Sequence, residues 1–356
     1  MSGGAYGYGV VFKLTLGQDG KWREKVLYQF TGGAEGAYPY GDLIFDQVGN
    51  LYSTTVNGGA GSYWSQGGTV FRLTPNGDGS WAESVLYSFC NILACRDGMY
   101  PVAGLTWDTA GNLFGTAFSG TAYGGGAIFE LTPDGDGTWT YLVRYSFEEP
   151  VGGFFGNPGA DLTLRDGVLY TTVTYGGNYN AGVVFGITVN PNGGWADPIY
   201  HFTGVNDGAT PRSRVIFDAA GHLYGTTSAG GTYGHGTVYR LSSDGSWTEK
   251  TLHAFTGGWD GGSPLAGLVF DQSGNLYGTT YQGGNLSACG AQGCGVVFKL
   301  TLGTDGKWRE HVLHCFADIP GANPYADLIL DAAGNLYGTT AGDGTTTFGT
   351  VFEITP

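Results

Sequence analysis

Four short motifs return in fixed order about every 57 residues, and this internal repetition limits the possible folds more than any other feature of the chain. The first motif, P-x-x-x-L-x-x-D, occupies residues 39–46, 101–108, 211–218, 264–271 and 324–331, with a variant at 158–166. The second, G-N-L-Y-G-T-T, is clearest at 274–280 and 334–340 and is modified at 49–53 and 111–115. The third, G-x-V-F-x-L-T, appears at 9–15, 68–74 and 295–301, and the fourth, W-x-x-x-V-L-Y-x-F, at 22–30 and 81–89. Each motif is rich in β-branched and aromatic residues and is bounded by Gly, Asn, Asp or Pro, which are strand signatures with turn punctuation. No segment carries a capped helical period.

Four strands per repeat, labelled a to d in motif order, predict a β-propeller blade. Strands a and b are nearly continuous in apolar or small residues, as inner strands should be. Strand d mixes charge with bulk, as in the W-R-E-K-V-L-Y run at 22–28, and suits an exposed edge. Motifs a, b and d occur six times and motif c seven times. The expectation is an all-β, six-bladed β-propeller with four-stranded blades, its last blade closed by strands from both termini. The blades are then 9–30 with 324–355, 39–89, 101–147, 158–202, 211–255 and 264–316, in one domain over 1–356. One c strand, at 9–15 or 349–355, is surplus and could pair with a second copy of the chain. Seven blades, two of them incomplete, is the alternative.

Composition narrows the function classes. The chain has 68 Gly among 356 residues, yet 41% of it is hydrophobic, so it has apolar surface enough to fold. Fifteen basic against 30 acidic residues give a net charge of −15 and exclude a large phosphate-binding surface, hence nucleic acid. No apolar stretch reaches the ~20 residues of a membrane span. Met1 is followed by Ser-Gly-Gly and not by a secretory leader. Cys90 with Cys95 and Cys289 with Cys294 form two C-x4-C pairs on lengthened loops, read as disulfides of an oxidising compartment, with a four-Cys zinc site as rival. Cys315, inside a strand, reads as a small buried residue.

The run 271–280 (D-Q-S-G-N-L-Y-G-T-T), with Gly283, Gly284 and G-V-V-F at 295–298, closely resembles the GloVer tandem-repeat proteins over essentially the whole chain. The resemblance implies a secreted or surface-attached bacterial protein. That family is defined by its repeat, so no catalytic residue carries over.

Strand direction puts the short a–b and c–d turns on one face and the variable b–c and d–a loops on the other, where binding is expected. The recurrent Asp46, Asp108, Asp218, Asp271 and Asp331 read as turn-pinning groups, and the D-G-D-G run at 134–137 as a hairpin turn. The variable face is aromatic, with Tyr63, Trp64, Tyr175, Tyr233, Tyr281 and Phe348 on b–c loops and Phe154, Phe155 and Trp259 on d–a loops. Such rings either stack on sugars or pack as a second core layer.

Residues that break the repeat are the sharper candidates. At the start of strand a the six equivalent positions read Asp42, Gly104, Asp161, Arg214, Gly267 and Asp327. Asp42, Asp161 and Asp327 are candidate ligands for Ca²⁺, or else partners of Arg214 in a ring that neutralises the channel. Arg212 stands where other repeats have Tyr40, Val102, Gly159, Leu265 or Tyr325, and His235 where others have Tyr8 or Gly125. Arg212, Tyr175, Tyr233, Trp259 and Tyr281 are the ligand-binding candidates, and Arg214 and His235 the catalytic ones. The leading expectation is a secreted or cell-surface binding or scaffold propeller that meets a glycan or another surface molecule. A polysaccharide lyase or hydrolase at the channel mouth and an assembly protein using the surplus strand are the alternatives. No G-x-S-x-G, P-loop or H-E-x-x-H motif is present.

Overall fold

The repeated motifs become strands in the order expected of them. The L-Y-G-T-T run forms strand b, Leu276–Thr280 in one blade and Leu223–Ala229 in another, its first five residues buried. The tryptophan that opens motif d opens the outer strand, as in Trp81–Ser88 and Trp247–Ala254, both half-exposed. The computed structural model describes residues 3–62, 66–148, 156–190, 193–243, 246–317, 321–342 and 349–356. The chain is an all-β, six-bladed β-propeller of four-stranded antiparallel blades. The helical turns among the described residues are the 3-10 turns Leu93–Cys95 and Gly290–Gln292, both in cysteine-bearing loops.

Strand a departs from the expectation of a continuous inner strand. In one blade it is two short pieces, Ala37–Pro39 and Ile44–Phe45, which pair with opposite ends of Leu51–Asn57. Ala209–Pro211 with Ile216–Phe217, and Ala322–Pro324 with Ile329–Leu330, repeat the break. Proline causes it: the ring removes a ladder donor just where the first piece ends.

At the chain ends, Val10–Leu16 pairs with Trp22–Gln29 in a two-stranded sheet. Val351–Ile354 pairs with Leu336–Gly342, so the C-terminal c strand lies beside the C-terminal b strand and the N-terminal c strand stays with its own d strand. These two sheets carry the strands of a last blade drawn from both termini. They are also the barest, with Phe12, Leu16 and Val26 exposed on the first and Ile329 and Val351 on the second.

The chain divides into two compact units, Met1–Leu169 with Ile187–Ala196, and Tyr170–Gly186 with Asp197–Pro356. Successive blades within a unit are joined by an aromatic hand-off. The Phe that ends one d strand meets the aromatic of the next c strand edge-to-face. In the first unit Phe30 meets Phe71 at 5.1 Å and Phe89 meets Phe129 at 5.2 Å. In the second, Phe202 meets Tyr239 at 5.0 Å, Phe255 meets Phe298 at 5.2 Å and Phe316 meets Phe352 at 5.0 Å. Each such contact contributes about 0.5–1.5 kcal/mol beyond the area it buries. A register shift just before Phe71, Phe129, Tyr239 and Phe298 twists strand c, and all four rings are fully buried.

The threonines of motif b make a second join. The Oγ1 of Thr54 donates to the Ala103 carbonyl at 2.9 Å, that of Thr226 to Ala266 at 2.9 Å and that of Thr172 to Ser213 at 3.1 Å. Each acceptor belongs to the inner segment of the next blade. The following threonine pairs within its own blade, as Thr55 does with Thr69 at 2.8 Å and Thr227 with Thr237 at 2.9 Å. Disulfides Cys90–Cys95 and Cys289–Cys294 each close within one loop, which removes the zinc alternative, and Cys315 is a free, half-buried thiol. Among the described residues no helix is long and apolar enough to cross a membrane.

Candidate functional site

The break in strand a is the most individual part of each blade. It follows a residue–proline pair whose first member has a left-handed backbone: Tyr38 (φ 58°), Tyr100 (φ 56°), Thr210 (φ 53°), Ser263 (φ 51°) and Asn323 (φ 58°). Non-glycine residues adopt this conformation only when the surroundings impose it. Here a main-chain bond does so. Tyr38 N–H donates to the Tyr8 carbonyl at 2.7 Å, Ser263 to His235 at 2.8 Å and Asn323 to Cys294 at 2.7 Å. The chain then leaves the ladder for a few residues, and position 42, 104, 161, 214, 267 or 327 falls in that gap.

These positions are therefore not the start of a strand, as expected from sequence, but the gap between its two pieces. In the first unit, Gly104 N–H donates to Asp161 Oδ1 at 2.6 Å. A Cβ on Gly104 would lie 3.1 Å from Asp161 Oδ2 and 3.1 Å from the Cβ of Asp42, so two acidic residues flank one glycine. In the second unit, Gly267 N–H donates to Asp327 Oδ1 at 2.5 Å, and Arg214 Nη2 lies 3.4 Å from Asp327 Oδ2. A side chain at 104 or 267 would press on the facing carboxylate, whose oxygens lie 3.1 and 2.8 Å from a Cβ built there, and push it aside. The two trios have the same plan, with an acid at 42 where the other has a guanidinium at 214.

A Ca²⁺ ion takes six to eight oxygen ligands. Asp161 and Asp327 already spend one oxygen each on a glycine N–H, and Asp327 also faces Arg214. Among the described residues no group of three or more His, Cys, Asp or Glu stands close enough to hold a metal ion. The residues present do not make a Ca²⁺ site on their own.

The remaining candidates fall on the loops. His235 is exposed and packs over the d–a loop, where a Cβ on Gly257 would lie 2.5 Å from its ring. No hydrogen bond or ion pair among the described residues links it to Arg214. Tyr233 (58% exposed) and Trp259 (68%) stand out from their loops, while Tyr281 is half-buried and meets Tyr325 edge-on at 6.2 Å. Tyr175 is exposed, and Arg212 Nη2 donates to its hydroxyl at 3.4 Å. Tyr63, Trp64, Phe154, Phe155 and Phe348 lie outside the described residues.

Two features escaped the sequence. One is a cleft of about 740 Å³ between two a–b turns, on the opposite face from the variable loops, lined by Phe45, Asp46, Val48, Trp107 and Asp108 among others. Its acids are committed to their own turns: Asp46 accepts bonds from the N–H groups of Val48 and Asn50, the Asn50 amide and the Tyr52 hydroxyl. Burial would raise the Asp46 pKa, but these bonds overrule it and hold the carboxyl below its ordinary value.

The other is a recurrent half-buried carboxyl on strand d. Glu83, Glu249 and Glu310 are each pushed up to about 7, by burial first and then by a nearby acid of the preceding d–a loop: Glu35, Asp207 and Asp260 respectively. For Glu249 a bond from Thr251, and for Glu310 the charge of His253, oppose the rise. The loop acids are held by a ring: Tyr28 donates to Glu35 at 2.8 Å, Tyr200 to Asp207 at 2.8 Å, and His253 Nε2 lies 3.3 Å from Asp260. The W-x-E spacing at 81–83, 247–249 and 308–310 was visible, but its partner lies in another repeat.

A family model described as the Gloeobacter/Verrucomicrobia repeat matches residues 1–216 and again 157–356. The chain belongs to this repeat family. Curated proteins give no match. Among solved structures, a Bacteroides uniformis protein provisionally named a 6-phosphogluconolactonase is similar at a TM-score of 0.57 and 13% identity, covering 96% of this repeat protein and 90% of that chain. At that identity the likeness shows the fold alone.

Proposed function

We propose that the protein is a secreted or cell-surface binding propeller that recognises a glycan through the aromatic tips of its variable loops. The observation that carries this reading is the exposure of Tyr233 and Trp259 on loops that are themselves held rigid. Gly234 N–H donates to Gly231 at 3.0 Å and Gly236 to Gly230 at 2.9 Å around Tyr233. Asp260 accepts the Thr256 N–H at 2.9 Å behind Trp259. Rings held this way lose little freedom on binding, and a ring face with polar neighbours matches a sugar's apolar face and hydroxyl edge. The two disulfides fit an oxidising compartment.

The charged groups of the inner segments support binding over catalysis, because they are largely engaged with one another. Arg214 faces Asp327, and Asp161 and Asp327 cap glycine N–H groups. A glycan array should give a defined set of hits, and Trp259→Ala or Tyr233→Ala should weaken them about tenfold, the loss of one stacking contact. Hits unmoved by both substitutions would count against the reading. Release of unsaturated uronate absorbance, abolished by Arg214→Ala, would instead identify a lyase.

A further inference from the structure

The repeat assigns a structural duty to most positions, so residues that leave its pattern and then meet in space call for another explanation. Tyr175 and Arg212 do both. Tyr175 closes strand b of its blade, Val168–Tyr175, at a register that holds Asn57, Ser119, Ala229 or Gln282 elsewhere. Arg212 follows the proline of the next blade, where the other repeats have no cation. Thirty-seven positions apart in sequence, they come together at 3.4 Å between Arg212 Nη2 and the Tyr175 hydroxyl.

Neither group has a buried partner to serve, since both are exposed. Arg214, two residues on, is engaged by Asp327, whereas Arg212 forms no ion pair among the described residues. Its planar fork fits a carboxylate through two parallel bonds, and the Tyr175 ring beside it offers a face for a pyranose. Between Arg212 and Arg214, Ser213 is buried and bonds Thr226 at 2.9 Å, which anchors the segment beneath the two cations.

We infer that Arg212 and Tyr175 form a subsite for the carboxylate of an acidic sugar unit. This rests on the glycan-binding reading above and names its ligand class: a uronate-bearing saccharide. The guanidinium takes the carboxylate, the phenol hydroxyl remains on the guanidinium and orients it, and the ring stacks on the sugar.

The test is calorimetric titration of the full chain with a galacturonate tetramer and with its methyl ester, which keeps the sugar and removes the charge. The free acid should bind about tenfold or more tightly than the ester, and less tightly as salt is raised. Arg212→Gln should bring the two to parity with no change in melting temperature, because the side chain is exposed. Arg212→Lys should recover only part of the preference, since an ammonium lacks the fork. Tyr175→Ala should weaken both forms. Equal binding of acid and ester by the wild type, or a preference that survives Arg212→Gln, overturns the subsite and leaves the glycan-binding reading standing. Binding of neither form also overturns the subsite, and a glycan array blank for neutral sugars as well then removes the wider reading.

Discussion

Two threonines at the same register of motif b, Thr54 and Thr116, are both buried, but only one of them works as a join. Thr54 donates to the Ala103 carbonyl of the next blade at 2.9 Å, whereas the Thr116 hydroxyl has no hydrogen-bond partner among the described residues. Valine keeps the shape of threonine and removes the hydroxyl. Thr54→Val should therefore cost about 1 kcal/mol, the worth of one bond plus an orphaned carbonyl, while Thr116→Val should be neutral or stabilising. Urea denaturation of the two variants checks this, and equal losses would show that the inter-blade bond carries no weight. Residue-scale roles of this kind were only partly legible. The turn-pinning of Asp46 was readable because its partners Val48, Asn50 and Tyr52 come within six positions of it. The bond from Thr54 to Ala103 spans 49 positions, and no single copy of the repeat contains both ends.

Among the elements, the loop between Cys90 and Cys95 shows how a local staple serves a buried charge. Asp97 is fully buried and accepts the Tyr87 hydroxyl at 2.7 Å and the N–H groups of Asn91 at 2.9 Å and Ile92 at 3.2 Å. The Tyr141 hydroxyl of the next blade donates to the Asp97 carbonyl. Asp97→Ala should cost about 2–3 kcal/mol by stranding the Tyr87 hydroxyl and the Asn91 and Ile92 N–H groups, while the Tyr141 bond to the main chain survives. Replacing both cysteines with alanine should cost about 2 kcal/mol for so short a loop. Because both act on one loop, the combined variant should lose less than the sum, and a double-mutant cycle by chemical denaturation measures the shortfall. Each cysteine pair was legible from spacing alone. The interruption of strand a was not, because the proline that causes it is equally at home at the start of an unbroken strand.

Across the whole molecule, charge sets the response to pH. Glu83, Glu249 and Glu310, at about 7, hold their protons more tightly in the folded state than a free carboxyl at 4.5 does. They favour the fold fully below 4.5, and that contribution fades as pH rises toward 7. Asp46, Asp271 and Asp331 are lowered below 3.8 and act in the opposite sense, withdrawing support only as acid protonates them. The melting temperature should therefore be higher at pH 5 than at pH 7.5. The triple variant Glu83→Gln, Glu249→Gln, Glu310→Gln should flatten that slope, and a scan unchanged by it would remove these carboxyls as its source. The net charge of −15 was plain from composition, but not that three of its carboxylates are neutral in part near neutrality.

The threonine join has a bearing on how such a protein diversifies. Its acceptor is a main-chain carbonyl, the one group that every amino acid supplies alike. Ala103, Ser213 and Ala266 are held through it regardless of their C-terminal neighbours, which are Gly104, Arg214 and Gly267. Selection can thus rewrite the gap positions that carry a side chain, 42, 161, 214 and 327, without breaking this join. A library randomised at 42, 161, 214 and 327 should return mostly folded members, each with a different chemistry inscribed on the same ground.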